Sequence, residues 1–173
     1  MPANSTDAAR RARFDRIVAA HREDLFRYAF WLSRDRALAE DVVQDAMLRA
    51  WRSLDALRED AAAKHWLLTI VRRENARHFE RKRLETVDVD DLLRSQQAAI
   101  ATEDNSDIGD VRQEIFKLAD EYREPLVLQV LVGFSTKEIA EVMELKQGAV
   151  LTRLHRARQQ LRDAFERDEV HHA

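Results

Sequence analysis

Apolar residues recur at helical spacing along most of the chain and predict a succession of helices. Phe14, Ile17 and Val18, followed by Leu25, Phe26, Tyr28, Ala29, Phe30 and Leu32, predict helices over about residues 12–19 and 22–32. Residues 1–12 are small, polar and basic, and are expected to fray. Ser33-Arg34-Asp35 reads as a short break, with Asp35 as the next N-cap. A sharply two-faced helix follows over residues 36–54. Its buried stripe is Leu38, Val42, Val43, Ala46, Met47, Ala50, Trp51 and Leu54, with Glu40, Asp41, Gln44, Asp45, Arg49 and Arg52 off it. Residues 55–63 read as a loop. Residues 64–83 read as a long helix with Leu67, Ile70, Val71 and Phe79 inward, joined by Trp66, and with Arg72, Arg73, Asn75, Arg77, His78, Arg81, Lys82 and Arg83 outward.

After this helix the pattern fades. The chain turns acidic and lacks aromatic residues up to Gly109-Asp110, the composition of an inter-domain linker, although residues 89–101 could form a weak helix. Periodicity resumes with Val111, Ile115, Phe116 and Leu118. Pro125 is placed to open a helix at its first turn, giving Leu126, Val127, Leu128, Val130 and Leu131 up to Gly133. The expected division is therefore residues 1–84, a linker over 85–110, and a second domain over 111–173.

The stretch from Ser135 to Arg162 carries the most information. Ser135 and Glu138 have the spacing of a capping box, and Ile139, Ala140, Val142 and Met143 supply an apolar face. Val150, Leu154, Ala157 and Leu161 form a second face after a break at Glu144-Leu145-Lys146. Ala140, Leu145 and Val150 match a helix-turn-helix: a small residue where the helices approach, a plug in the turn, and an anchor beneath the second helix. That second helix carries Lys146, Arg153, His155, Arg156, Arg158 and Arg162 and no acid, as suits a helix lying between two phosphate backbones. A solvated helix of an ordinary bundle is the competing reading. Glu144 occupies the turn position where φ is often positive and glycine is usual, at a cost of about 1 kcal/mol. The residues after Ala164 are expected to fray, with His171 and His172 solvated rather than metal-ligating.

Composition narrows the fold class. Three Gly and two Pro in 173 residues leave few hairpin turns, and an all-α protein of two small helical domains is expected. The absence of Cys removes disulfides and thiolate chemistry. No apolar run approaches the about 20 residues of a membrane span and the N-terminus lacks a signal-peptide core, so a soluble, cytoplasmic protein without membrane insertion is expected. The net charge of −3 hides segregation: residues 64–83 hold seven Lys or Arg against two Glu, and residues 84–110 hold eight Asp or Glu against one Arg. Blocks of opposite sign serve different partners.

The basic residues of the 64–83 helix suit a phosphate backbone, Asn75 can read a base edge, and Trp66 either packs in the core or stacks on an unpaired base. The acids at Glu40, Asp41 and Asp45 are either a solvated face or a ridge for a basic partner that relieves their mutual repulsion. Enzyme chemistry finds no support: no Gly-rich phosphate loop, zinc-protease motif or nucleophile motif is present, no cofactor is called for, and His21, His65, His78 and His155 lack ligand spacing. A stand-alone helix-turn-helix regulator with an N-terminal dimerisation or sensor domain remains an alternative, though it has no need of a second basic helix.

Taken together, residues 25–55 (LFRYAFWLSRDRALAEDVVQDAMLRAWRSLD), the WLLTIVRREN stretch, STKEIAEVMEL and RLHRARQQLR resemble a bacterial RNA polymerase sigma factor of the extracytoplasmic-function group. The resemblance spans residues 14–162. It implies a protein that binds core RNA polymerase, directs it to promoters and assists opening of the duplex. It assigns Glu40, Asp41, Gln44, Asp45 and Arg49 to docking on the polymerase clamp. Trp66, Arg72, Arg73, Asn75, Arg77, His78, Arg81 and Lys82 fall to −10 recognition and melting. Lys146, Gln147, Thr152, Arg153, Arg156 and Arg158 fall to reading the −35 element. The acidic linker would run through the nascent-RNA channel, and an anti-sigma factor is implied as a regulatory partner. The chain departs from the family pattern at Glu144, where Gly is usual, and at Leu151, where Lys or Arg is usual. It departs again at Arg72-Arg73 and Arg77, where an Arg-Asn pair and a later Asp are common. These departures bear on the promoter sequence rather than the fold.

Overall fold

The computed structural model describes residues 3–85 and 107–171, with side chains over 7–84 and 111–167. Among the described residues every regular element is helical. The expected weak helix over residues 89–101 lies outside them, as does His172.

The first helix, α1 (Ala3–Ser33), is continuous where two helices and a frayed start were expected. Nothing in Ala19-Ala20-His21 breaks a helix; Ala is the best helix former. The N-terminal half is held by tertiary contacts instead of fraying. Arg10 donates to the Trp51 carbonyl at 2.7 Å and lies over the Trp51 ring at 4.3 Å. Arg13 reaches the Leu57 carbonyl and Asp60, each at 2.8 Å. Phe14 meets Trp51 edge-on at 5.3 Å.

Asp35 caps α2 (Arg36–Arg52) as expected, accepting from the Leu38 N–H at 3.0 Å. The helix ends slightly early, and Leu54, buried as expected, sits in a 3-10 turn (Leu54–Ala56). A second such turn (Asp60–Ala62) leads into α3 (Ala63–Glu85). Helices α1, α2 and α3 enclose one core in which Leu25, Tyr28, Ala39, Val42, Ala46, Leu67, Leu68 and Val71 are fully buried. Burial of each large aliphatic side chain contributes about 1.5–3 kcal/mol.

In the C-terminal part, α4 (Asp107–Lys117) begins one turn earlier than the apolar pattern indicated. Helix α5 (Asp120–Val130) contains Pro125 well inside rather than at its first turn. The amide of Tyr122 and that of Arg123 both bond to the Ala119 carbonyl, and Asp120 and Glu121 suit the positive helix start. An internal proline costs about 3 kcal/mol through its missing N–H. Packing offsets this, since Arg123 to Leu128 are all buried. Gly133, with φ 80°, closes α5, and the Phe134 amide reaches back to the Leu128 carbonyl at 3.0 Å.

Helices α6 (Thr136–Met143) and α7 (Gln147–His171) complete the chain. The expected fraying after Ala164 does not occur up to His171; Ala164 and Phe165 are half-buried and extend the apolar stripe. Helix α5 packs on α7 and α6, and α1 and α3 of the first half touch α5 and α6 of the second.

Candidate nucleic-acid interface

The helix-turn-helix forms as its sequence requires. Ser135 Oγ accepts from the Glu138 amide at 3.3 Å while a Glu138 carboxylate oxygen accepts from the Ser135 amide at 2.8 Å. The Ser135 hydroxyl and amide hold the Glu138 carboxyl below its ordinary pKa. Glu144 takes the left-handed conformation, φ 56° and ψ 43°. The Leu145 amide then bonds to the Ala140 carbonyl at 2.9 Å, which plugs half-buried Leu145 between the helices. Val150, Leu154 and Ala157 are buried on the inner side of α7, with Leu161 half-buried.

Outward from that stripe stand Lys146, Gln147, Thr152, Arg156 and Arg158, all exposed. Gln147 donates to Thr136 Oγ1 at 2.8 Å, and Thr152 to the Gly148 carbonyl at 3.0 Å. Arg153 is half-buried, 3.6 Å from Glu121, and Arg158 bonds to Gln129. Leu151 is also exposed, at 54%.

Helix α3 is less uniformly free than its pattern indicated. Arg81 is exposed, Trp66 and Lys82 are half-buried, and Arg77 bonds to Glu74 at 2.7 Å. Asn75, expected outward, is buried, and its Oδ1 has no hydrogen-bond partner among the described residues. Phe79, expected inward, is 37% exposed. The physical reason is the phase of the helix. Steps of four and seven from Leu67, Leu68 and Val71 lead to Glu74, Asn75 and His78, so these polar residues lie on the inner side of α3, where Glu74 and His78 meet α2. Counting that way identifies Glu74 in the sequence; its polarity hid it.

On α2, Glu40, Asp41 and Gln44 point outward, while Asp45 meets His78 at 2.8 Å. Arg49 reaches Glu74 at 2.5 Å, so buried Glu74 joins Arg49 to Arg77. Leu48, 53% exposed, stands on the same ridge one turn from Gln44 and Asp45 and two turns from Asp41. An apolar group there suits a macromolecular contact, and its position among polar residues was the available signal.

A third cluster ties the two halves of the chain. Glu124 accepts from the Tyr28 hydroxyl and from Arg72 Nε, both at 2.7 Å. Burial, and after it the Glu124 charge, pushes the Tyr28 phenol well above its ordinary pKa. Burial opposes the Arg72 charge, but Glu124 more than offsets this and raises the Arg72 pKa. Arg123, 2% exposed, donates to the carbonyls of Trp31 and Leu118 at 3.1 and 2.9 Å. Phe116 stacks on Trp31 with ring centroids 4.3 Å apart. Among the described residues no cluster of His, Asp or Glu is arranged to hold a metal ion, and no helix is long and apolar enough to cross a membrane.

Two helical domains, one ending in a basic helix-turn-helix and the other carrying a basic helix beside an acidic ridge, define a helical DNA-binding protein with a further protein-docking face. Family comparison resolves the class. Residues 17–85 match sigma-70 region 2, and residues 108–161 match sigma-70 region 4. The ECF RNA polymerase sigma factor SigM of Mycobacterium tuberculosis is 32% identical over 161 residues, covering 89% of this chain and 78% of that one. SigM of Bacillus subtilis is 28% identical over 156 residues, covering 88% and 95%. Among solved structures, the sigma factor RpoE of Bartonella quintana, in complex with the anti-sigma factor NepR, matches with TM-score 0.77 and 26% identity over 88% of this chain and 96% of that one. CnrH in complex with the cytosolic domain of CnrY matches with TM-score 0.64 and 28% identity, covering 90% and 88%. The chain belongs to the ECF group of RNA polymerase sigma factors. Its partners are core RNA polymerase and promoter DNA.

Proposed function

We propose that the three surfaces divide the work of initiation. The α2 ridge of Glu40, Asp41, Gln44, Asp45 and Arg49, with Leu48 added, docks on core polymerase. Trp66, Arg72, Arg73, Arg77, His78, Arg81 and Lys82 of α3 engage the −10 element and its unpaired bases. Lys146, Gln147, Thr152, Arg153, Arg156 and Arg158 of α7 read the −35 element in the major groove. Asn75 is buried and acts from within the fold, not on a base. The division of the chain into residues 1–84, an acidic linker over 85–110 and a second domain over 111–173 belongs to the same reading.

The observation that carries it is the fully formed helix-turn-helix whose outer face is basic and free of acids from Lys146 to Arg162. Opening a duplex costs about 1.4 kcal/mol per base-pair step, and stacking of unpaired bases on protein returns about 1–3 kcal/mol per base. Binding energy therefore suffices, and the chain works without catalytic chemistry of its own. Its place is the cytoplasm, where polymerase and promoter are found. Regulation by an anti-sigma factor is part of the proposal, supported by a similar sigma factor captured with such a partner.

The test is affinity for core polymerase, paired on the same samples with promoter opening. One-to-one binding that enables opening is the expected result. A dimer that binds palindromic duplex with no affinity for polymerase would overturn the reading in favour of a stand-alone regulator.

A further inference from the structure

Gln147 opens α7 and is exposed, yet its amide is not free to turn. Its Nε2 donates to Oγ1 of half-buried Thr136, 2.8 Å away on the neighbouring helix. A carboxamide carries two N–H donors and a carbonyl acceptor, so this bond leaves Oε1 and the second N–H of Gln147 for an outside partner. One carbonyl oxygen beside one N–H is the pair that matches N6 and N7 on the major-groove edge of adenine. Because Thr136 holds the amide before DNA arrives, less side-chain freedom is lost on binding.

Leu151 stands one turn further along the same side of α7. Among the described residues it is the one exposed large apolar side chain of that helix, at 54%, and its neighbours Gln147, Thr152, His155 and Arg158 are exposed and polar. Between Gln147 and Leu151 lies Gly148, whose φ is not positive and where a Cβ would meet nothing within 4 Å. Neither backbone geometry nor packing within the chain requires glycine there. Its missing side chain leaves room for an outside group to come close to the helix.

We infer that Gln147 and Leu151 form a two-residue reader of A·T pairs, with Thr136 as the positioning residue: Gln147 bonds to N6 and N7 of an adenine, and Leu151 packs on the C5 methyl of a nearby thymine. The reader rests on the assignment of α7 to the −35 element. A helix rises about 1.5 Å per residue and a duplex about 3.4 Å per step, so four residues place the two bases within about two base pairs of each other. The departure from the family pattern at Leu151 thereby becomes a choice of base, since Lys or Arg at that position would favour guanine.

The test uses holoenzyme assembled from the full chain and core polymerase, on duplexes randomised across the −35 stretch. An adenine and a thymine within about two base pairs should be enriched. In the selected duplex, deoxyuridine in place of that thymine removes only the methyl and should weaken binding about fourfold. Replacing that adenine by 7-deazaadenine removes N7 and should weaken binding about tenfold. Leu151→Ala should erase the difference between thymine and uracil and keep the response to 7-deazaadenine. Thr136→Val, which keeps the branched shape and removes the acceptor, should shrink the response to 7-deazaadenine without altering the salt slope, and Thr136→Ser should restore it. Uracil bound as well as thymine overturns the Leu151 contact, and 7-deazaadenine bound as well as adenine overturns the Gln147 contact. Equal 7-deazaadenine penalties in wild type and Thr136→Val overturn the positioning role. A selected stretch without adenine and thymine so spaced overturns the reader and leaves α7 at the −35 element. No selection at all across the stretch removes that assignment, and the reader with it.

Discussion

Replacing Tyr28 with phenylalanine removes one hydroxyl from a fully buried side chain and leaves the ring in place. That hydroxyl donates to Glu124 at 2.7 Å. A hydrogen bond to a charged acceptor contributes about 1.5–3 kcal/mol. Glu124 keeps the Arg72 bond, also at 2.7 Å, and its side chain is only 11% exposed, so water replaces the lost donor poorly. A loss of about 2 kcal/mol is expected, which at a urea slope of about 2 kcal/mol/M lowers the midpoint by about 1 M. Tyr122→Phe is the internal control: Tyr122 is half-buried, its hydroxyl has no hydrogen-bond partner among the described residues, and its substitution should stay within about 0.5 kcal/mol.

The same site has a pH signature. The folded phenol is pushed well above its ordinary value by burial and then by Glu124. Its contribution is therefore fully present below the unfolded pKa of about 10 and is lost as pH rises beyond that toward the folded value. Phenylalanine abolishes that alkaline loss. With Tyr122 replaced by Phe, the phenolate absorbance of Tyr28 should appear only as the protein unfolds. Equal urea midpoints for Tyr28→Phe and Tyr122→Phe, or ionisation of Tyr28 at its ordinary value in the folded protein, would refute the buried Tyr28–Glu124 contact.

Other expectations are narrower. Ser135→Ala removes the capping box and should cost about 1 kcal/mol. It should also weaken the acid dependence due to Glu138, whose depressed carboxyl contributes stability above its unfolded pKa that is lost as pH falls through the folded value; acid denaturation of wild type and variant checks this. Arg156→Ala, at an exposed position, should leave the urea midpoint unchanged, lower −35-dependent transcription and reduce the salt slope of promoter binding by about 1. Asp41→Arg reverses charge on the exposed α2 ridge and should weaken core polymerase binding without unfolding the chain; unchanged affinity would remove Asp41 from the docking face.

Much of this molecule was legible because local rules and tertiary packing agree. Asp35, the Ser135–Glu138 box and the positive φ of Glu144 follow from chemistry within a few residues, and all occur as expected. Several of the misses share a cause: distant contacts overrode local signals. The start of α1 looked frayed because Arg10 and Arg13 find their partners more than forty residues away. Pro125 looked like a helix start because the packing that lets α5 carry it is invisible in sequence. Asn75 looked solvated because polarity outweighed phase, whereas the phase of α3 turns it inward. The pairing of Arg72 and Arg73 with Glu124 and Glu144 joins residues 52 and 71 positions apart, beyond any pattern within one helix.

Helices α2 and α3 are joined at two heights, by Asp45 with His78 and by Glu74 with Arg49 and Arg77. The two rungs make the pair a rigid bracket instead of two rods free to roll on one another. Whatever grips α2 therefore also sets the heading of α3. On the division of surfaces proposed above, a single grasp by polymerase on one side of the bracket would fix both the distance and the angle at which the other side meets the separated strands.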